Sequence, residues 1–498
     1  MGIVIRQSFW ASLITYLGIG IGYINSLILF PYFLDVERFG LVRLVQSNGM
    51  ILIPLALIGM NGVYTKYFPE FNENEKLSNQ IISFQLTIIL FGGILFASLI
   101  FLFRQPIEAF YEEKSSLYND YLYITIIIFL SQSLFNYFIS FLWSRHQIIF
   151  TNFIQEIALR LASTTLIAIY GLEYLSFPML VLSIGLSYVA ATGVIFLYIL
   201  IKFEVKFDLS FIHLPKVWIY KMFNYGVYVF LVATSSSVLM NVSYLITASY
   251  LGLAANAILT ISVFIATIIE LPKRAMAQIL SPVLSQLFTD NDKDGLRDNY
   301  QLSSLNLGLV GALVAIGIIT NLDGLFAIIP KGDTYMEGYW VIVVIVIARV
   351  FTMFCGMTSE LITFSDFYKW NLFISISGAL FMIVINLLLI PIYGIVGSAL
   401  GTLAATSLTQ VIRQVLIYKQ LGLIPYTKQH LLIFPLSTLV FLVALYLPKL
   451  DNAYLDITCR SVLTTVIFTF LAYSMKISTH VNAIIELGWK LIVSGKQS

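Results

Sequence analysis

A chain of 498 residues that is 59% hydrophobic and only 11% charged, with mean hydropathy +0.90, lies far from the ~25% charged composition of soluble domains, so lipid is its main solvent. A formal net charge of +2 without a long basic tail excludes the electrostatic footprint of a nucleic-acid binder. The two cysteines, Cys355 and Cys459, each sit in an apolar run and indicate neither a disulfide framework nor a thiolate metal site.

Apolar runs of about 20 residues, the length that crosses a ~30 Å hydrocarbon core, recur fourteen times along the chain. The first seven are Phe9 to Leu34, Leu41 to Tyr64, Gln80 to Phe103, Leu117 to Trp143, Asn152 to Ile169, Ser176 to Ile201 and Phe223 to Tyr250. A second series follows: Ala254 to Ile279, Leu302 to Ile329, Gly338 to Leu361, Trp370 to Ile390, Val396 to Tyr418, Leu431 to Leu447 and Ile457 to Tyr473. The first run is too long for a signal-peptide core and ends on no small-residue cleavage site, so it is expected to be a retained helix. The fold class expected is an all-α polytopic membrane protein.

Lys and Arg set the orientation, because short cytoplasmic loops carry an excess of them. With the amino terminus in the cytoplasm, the inner loops hold Lys66, Lys76, Arg145, Lys202, Lys206, Lys216, Lys221, Lys293, Arg297, Arg413, Lys490 and Lys496 among others. The outer loops hold only Arg38, Arg43, Arg104, Lys114, Lys331, Lys449 and Arg460. Both termini are therefore expected to be cytoplasmic.

Two echoes suggest an internal duplication. Leu34-Asp-Val-Glu-Arg-Phe-Gly-Leu precedes the second run and Leu251-Gly-Leu-Ala-Ala-Asn-Ala-Ile precedes the eighth, with Pro54 and Pro272 some way into each. Ile169-Tyr-Gly171 follows the fifth run and Ile392-Tyr-Gly394 the eleventh, at nearly the same offset. Six helices then form one repeat, and an even number of crossings relates the copies by an axis along the membrane normal. The expected organisation is a six-helix bundle over 1–205, a cytoplasmic amphipathic linker over 206–222, a second bundle over 223–420, and two further helices with a cytoplasmic tail over 421–498.

The same segments, with Ser281-Pro-Val-Leu-Ser-Gln-Leu287 and above all Asn386-Leu-Leu-Leu-Ile-Pro-Ile-Tyr-Gly-Ile-Val-Gly-Ser-Ala-Leu400, make the chain resemble the polysaccharide (oligosaccharide-lipid) flippases. These form the Wzx-like branch of the MOP superfamily, related to MATE exporters and the lipid II flippase. Phe207-Asp-Leu-Ser-Phe211 through Phe223-Asn-Tyr-Gly226 is similar to the family's amphipathic elbow, without the proline often found after it. The resemblance implies a protein of the bacterial cytoplasmic (inner) membrane that uses no cofactor. It would flip a polyprenyl-pyrophosphate-linked glycan from the cytoplasmic to the outer leaflet by alternating access. Membrane lipid, H+ or Na+ and polysaccharide assembly proteins are the implied partners, with no nucleic acid.

A wet cavity that shelters a charged headgroup has to be built from polar residues at membrane depth. Arg349, twelfth in its run, reaches neither interface easily and is the first candidate headgroup contact; the alternative is a pair with an acid or carbonyl on a neighbouring helix. Arg160 follows Glu156 by four residues, the order that favours an ion pair within a helix, and Glu156 is the candidate for ion coupling. Arg43, at the outer start of the second run, and Lys273 and Arg274, near the inner end of the eighth, are candidate headgroup contacts or snorkelling anchors. Ser237 and Asn241 with Tyr244, and Gln132 with Asn136, form polar stripes that line a cavity or bond helices together.

Asp290-Asn-Asp-Lys-Asp-Gly295 has the opening of an EF-hand loop, but its twelfth position is Gln301 rather than a bidentate Glu, so no calcium site is expected. No G-x-x-x-x-G-K-[ST] loop is present, and His146, His213, His430 and His480 lack metal spacing. Ion or substrate gradients are left as the driving force. A MATE-type drug/cation antiporter is the main alternative, disfavoured because its substrates call for intramembrane acids while the unpaired mid-depth charge here is an arginine. A membrane-embedded polysaccharide polymerase or ligase would need a larger outer loop than Arg104 to Ser116.

Overall fold

The computed structural model describes residues 2–203, 205–478, 481, 482 and 486. Lys490 and Lys496, counted above to the inner face, and His480 lie outside them. Among the described residues fourteen helices are long and apolar enough to cross a membrane. They are α1 Leu13–Phe33, α2 Val36–Leu57, α3 Glu75–Leu102, α4 Arg104–Ser144, α5 Ile148–Gly171, α6 Phe177–Phe203, α7 Lys216–Leu251 and α8 Leu253–Thr289. Then follow α9 Lys293–Thr320, α10 Gly332–Phe354, α11 Trp370–Tyr393, α12 Ile395–Leu421, α13 Lys428–Tyr446 and α14 Ala453–Ser474. No strand occurs among the described residues, as expected where backbone polar groups must be satisfied within each segment.

Several boundaries differ from the apolar runs, each for a local reason. α2 begins at Val36 rather than Leu41, because Asp35 caps it by accepting the Arg38 N–H at 2.7 Å. It stops where Ile58 and Gly59 adopt φ of 48° and 75°, and the chain resumes as a separate helix, Met60–Phe71. The stretch from Arg104, expected as a loop, is a polar helix over Arg104–Ser115 with an Arg104–Glu108 pair at 2.5 Å, and a short 3-10 turn joins it to the rest of α4. α7 starts at Lys216, inside the expected linker, after a 3-10 turn over Leu209–His213. α8 runs on to Thr289, past the expected end at Ile279.

The chain forms two compact units, Met1–Thr260 with Ala379–Ile395, and Ile261–Gly378 with Val396–Ser498. In the first, Tyr64 anchors an aromatic core with Phe71, Phe141 and Tyr137 at centroid separations of 5.4, 5.5 and 5.8 Å. The Arg145 guanidinium stacks 3.7 Å from the Phe141 centroid and donates to the Tyr64 hydroxyl, so ring faces and a hydroxyl help to hold the cation.

Close backbone approach joins α2 to α7 and the start of α8 within this unit. A Cβ on Gly40 would lie 1.8 Å from the Leu253 carbonyl oxygen, and one on Gly59 2.1 Å from that of Gly226. Between them Ser237 Oγ donates to Met50 O at 3.1 Å. Asn256, fully buried, donates to Gly40 O at 3.0 Å, so the two motifs that echo each other in sequence pack directly together. Small residues are what permit such contact in lipid, where no hydrophobic force drives helices together.

In the second unit α9, α13 and α14 share a core that includes Leu309, Ile316, Ile433, Val440 and Phe468. Arg460, counted above as an outer-loop cation, is instead buried in α14. It donates to Ala444 O at 2.5 Å and to Asp456 at 3.2 Å, closing the carbonyl end of α13.

Gly40→Ala is expected to force α2 off α8 and cost ~1–3 kcal/mol. Gly20→Ala, where a Cβ meets nothing within 4 Å, should be neutral or gain up to ~1 kcal/mol. Thermal unfolding of the two purified variants in one detergent checks both.

Candidate functional site

A charge within a membrane-length helix is costly and so informative, and one group of such charges gathers in the second unit. α8 tightens to a 3-10 turn over Ile268–Glu270, and Pro272 sits in the first turn of the α-helix that resumes after it. Proline lacks an N–H, so it is tolerated where the helix restarts. The turn presents Glu270, Lys273 and Arg274 on one segment. Arg349 Nη1, from α10, lies 2.6 Å from Glu270 Oε1, with both side chains about four-fifths buried. Arg274 Nη2 is 3.9 Å from the other Glu270 oxygen. Lys273 Nζ donates to the Thr352 carbonyl at 3.5 Å.

Two further residues complete the group. α10 ends at Phe354, Gly356 turns the chain with φ of 65°, and a short helix Thr358–Phe364 brings in Glu360. Lys273 and, from α12, Arg413 both lie in the field of Glu360. Four cations (Lys273, Arg274, Arg349, Arg413) therefore share this region with two carboxylates (Glu270, Glu360). The Nε atoms of Arg349 and Arg413 and Glu360 Oε2 are buried without a hydrogen-bond partner among the described residues. Such atoms call for water or a polar ligand. A net cationic site of this kind suits a phosphate-bearing group, which takes up charge-assisted hydrogen bonds.

This geometry corrects two expectations. Arg349 is not an unpaired mid-depth charge, because Glu270 neutralises it. Lys273 and Arg274 do not end α8, which continues to Thr289. Three members were missed by the sequence reading. Arg413 had been counted with the loop cations, although the run Val396 to Tyr418 contains it. Glu270 and Glu360 lie inside apolar runs and answer to the same cost argument that singled out Arg349.

A second group lies in the first unit, where α1 and α5 each contain a π-helical stretch, Ile24–Leu29 and Phe153–Ala158. Single widened turns of this kind recur at functional sites. Glu156 and Arg160 form the expected pair, at 2.6 Å. Asn25, buried in the α1 stretch, donates to Arg160 O at 2.9 Å and accepts from Thr164 at 2.7 Å. Glycines on α1 make room: a Cβ on Gly22 would lie 2.7 Å from Arg160 Nη1, and one on Gly18 2.4 Å from Glu156 O. Arg43 is two turns into α2 rather than at its end; it donates to Gln46 Oε1 at 3.0 Å, and Gln46 donates to the Tyr188 hydroxyl at 3.4 Å. Tyr188 lies in the field of both Arg43 and Arg160, so Arg43, Glu156 and Arg160 share one locality.

The polar stripes largely bond protein to protein. Ser237 donates to Met50 O on α2, Asn241 donates to Ser237 O at 3.0 Å, and Asn136 donates to Gln132 O at 2.8 Å. Gln132 is buried, and its Nε2 has no hydrogen-bond partner among the described residues. In the EF-hand-like stretch Asp292 caps α9 by accepting the Gly295 N–H at 2.9 Å. Among the described residues no three His, Cys, Asp or Glu side chains converge to hold a metal ion.

Glu270→Ala should leave Arg349 uncompensated and lower stability by ~3–5 kcal/mol, whereas Glu270→Leu with Arg349→Met should recover most of that loss. Thermal unfolding of Glu270→Ala, of Glu270→Leu and Arg349→Met singly and of their double variant in detergent measures the coupling.

The family motif has a structural counterpart: Asn386, fully buried in α11, donates to Ser243 Oγ on α7 at 3.2 Å and to Met382 O at 2.9 Å. A family model described as polysaccharide biosynthesis protein matches residues 4–288. No curated protein sequence matches the chain. Among solved structures, the lipid II flippase MurJ in an inward closed conformation superposes with TM-score 0.72 at 16% identity, covering 94% of this chain and 99% of that one. An inward-facing multidrug resistance MATE transporter of the MOP superfamily gives 0.64 at 14% identity over 82% and 94% of the two chains. A MATE transporter from Vibrio cholerae gives 0.52 at 14% identity over 83% and 97%. At these identities the likeness establishes the fold, and the family match adds the lineage: the chain is an integral membrane protein that belongs to the polysaccharide biosynthesis protein family and has a fold shared with the lipid II flippase and the MATE transporters.

Proposed function

We propose that this protein is a flippase that carries a polyprenyl-pyrophosphate-linked oligosaccharide, such as an O-antigen, capsule or exopolysaccharide repeat unit, from the cytoplasmic to the outer leaflet of a bacterial inner membrane. The observation that carries the reading is the net positive group formed by Lys273, Arg274, Arg349 and Arg413 against Glu270 and Glu360 among the helices of the second unit. A pyrophosphate can exchange into such a site by replacing one carboxylate contact, so the charges stay compensated along the way. The Arg43, Glu156 and Arg160 group supplies further headgroup contacts, and Glu156 is the carboxylate suited to take up H+ or Na+. Alternating access of two six-helix bundles, 1–205 and 223–420, joined by the 206–222 linker, moves the headgroup, with both termini in the cytoplasm. Membership of the polysaccharide biosynthesis family supports a glycan-lipid substrate.

The antiporter reading keeps some support, because intramembrane acids are present after all. Glu270 and Glu156 are each held by an arginine, however, and the excess of cations repels a cationic drug. The deciding measurement is leaflet exchange of a labelled polyprenyl-pyrophosphate oligosaccharide in proteoliposomes, under a proton or sodium gradient. Exchange should require the protein and fall about tenfold or more in folded Lys273→Ala and Arg349→Ala, the loss of one charged hydrogen bond each. Undiminished exchange in both variants would remove the charge group from the mechanism. No exchange by folded wild-type protein with several glycan lipids would return the reading to the antiporter.

A further inference from the structure

A groove of about 650 Å3 lies on α3, α4 and α6 in the first unit, apart from both charge groups. Its lining includes Leu86, Leu134, Phe138 and Phe196 with Thr192 and Gly193. The hydroxyls of Thr192 and Ser131 are taken up by backbone carbonyls. Thr192 Oγ1 donates to Ser131 O at 3.0 Å, and Ser131 Oγ donates to Ile127 O at 2.8 Å. The groove therefore offers methylene-compatible surface, with room for on the order of twenty groups of ~30 Å3 each. One acyl chain fills it, and a polyprenyl tail of many isoprene units exceeds it.

The groove opens at Lys206 and Phe207, which also line a polar recess of about 830 Å3 together with Glu73, Glu75, Lys76 and Asp208. The strand of chain between groove and recess is fixed to α3. Lys206 N donates to Asn79 Oδ1 at 3.4 Å, Asp208 N to Ser83 Oγ at 2.9 Å, and Gln80 Nε2 to Ser210 Oγ at 2.7 Å. Hydrogen bonds from Ser210 hold the Asp208 carboxyl below the usual carboxylate range, so it is charged at neutral pH. Among the described residues the recess thus carries two cations and three carboxylates.

We propose that this groove and recess form a binding site for one molecule of a glycerophospholipid with an amine-bearing, zwitterionic headgroup. One acyl chain lies in the groove, the phosphate meets Lys76 and Lys206, and the ammonium meets Glu73, Glu75 and Asp208. The excess of carboxylate selects against a lipid whose headgroup is only anionic. The inference does not depend on the transported substrate.

Glycine makes the test clean. A Cβ on Gly193 meets nothing within 4 Å, and the same holds for Gly20 on α1, so Gly193→Phe places a ring in the groove lining from an uncrowded Cβ and Gly20→Phe is its control. The full chain would be purified in mild detergent, given equal amounts of phosphatidylethanolamine and phosphatidylglycerol, and examined by native mass spectrometry. Retention of one phosphatidylethanolamine per chain is expected, preferred about fivefold over phosphatidylglycerol. Gly193→Phe should abolish retention and Gly20→Phe should keep it. Lys206→Glu, at an exposed position, should weaken phosphatidylethanolamine binding, and it decides the matter should Gly193→Phe fail to fold. Equal retention of the two lipids, retention unaffected by Gly193→Phe or by Lys206→Glu, or displacement by an equal amount of polyprenyl phosphate would each overturn the proposal.

Discussion

The pairing of Arg349 with Glu270 at 2.6 Å is the contact around which the charged interior of this protein is organised. A guanidinium in hydrocarbon costs ~2.5–3.5 kcal/mol even on the most lenient scale, and it is retained only where a carboxylate or carbonyl answers it. Here the answer comes from a helix that had to be interrupted. The 3-10 turn before Pro272 turns Glu270 toward Arg349 while leaving Lys273 and Arg274 close by. A regular helix through Pro272 would lose a backbone hydrogen bond in any case, so the break that proline demands also positions the charges.

Packing obeys the same scarcity of driving force. With lipid as apolar as leucine, helices associate through contact distance and polar bonds. Gly40 and Gly59 let α2 come against the carbonyls of Leu253 and Gly226, and Asn256 and Ser237 add bonds to the backbone of α2. The π-helical stretches of α1 and α5 serve an analogous end. Asn25, in the α1 stretch, bonds across to Arg160 O and Thr164 on α5, and Glu156 and Arg160 lie beside the glycine face of α1. Irregular backbone thus accompanies both candidate charge groups.

For the proposed transport, the consequence is a balance between holding and releasing a pyrophosphate. Cations without any carboxylate would bind the headgroup too tightly to let it go, whereas Glu270 and Glu156 compete for the same arginines. Binding then amounts to an exchange of partners, and the net free energy is the difference between two charge-assisted contacts. Arg413 and Glu360, whose Nε and Oε2 atoms are buried without a partner among the described residues, are the members with most to gain from a polar ligand.

How much of this was legible in the sequence divides along a physical line. Hydropathy and length determined the helices, because crossing a membrane is a property of each segment alone; all fourteen runs correspond to helices, and the Glu156 and Arg160 pair followed from their four-residue spacing. The family resemblance carried by the motif at Asn386 was legible too, although not the bond from Asn386 to Ser243 that gives it a structural reason. The tertiary structure alone decided which charges meet. Arg349 finds Glu270 across seventy-nine positions of sequence, Arg460 is buried against the end of α13 rather than exposed in a loop, and Arg43 lies within α2 because Asp35 caps it early. Apolar periodicity cannot register such pairings, since a carboxylate inside a run of leucines reads the same whether or not an arginine faces it. Only the packed helices set the distance, and in a low-dielectric interior distance determines whether a charge is a cost or a contact.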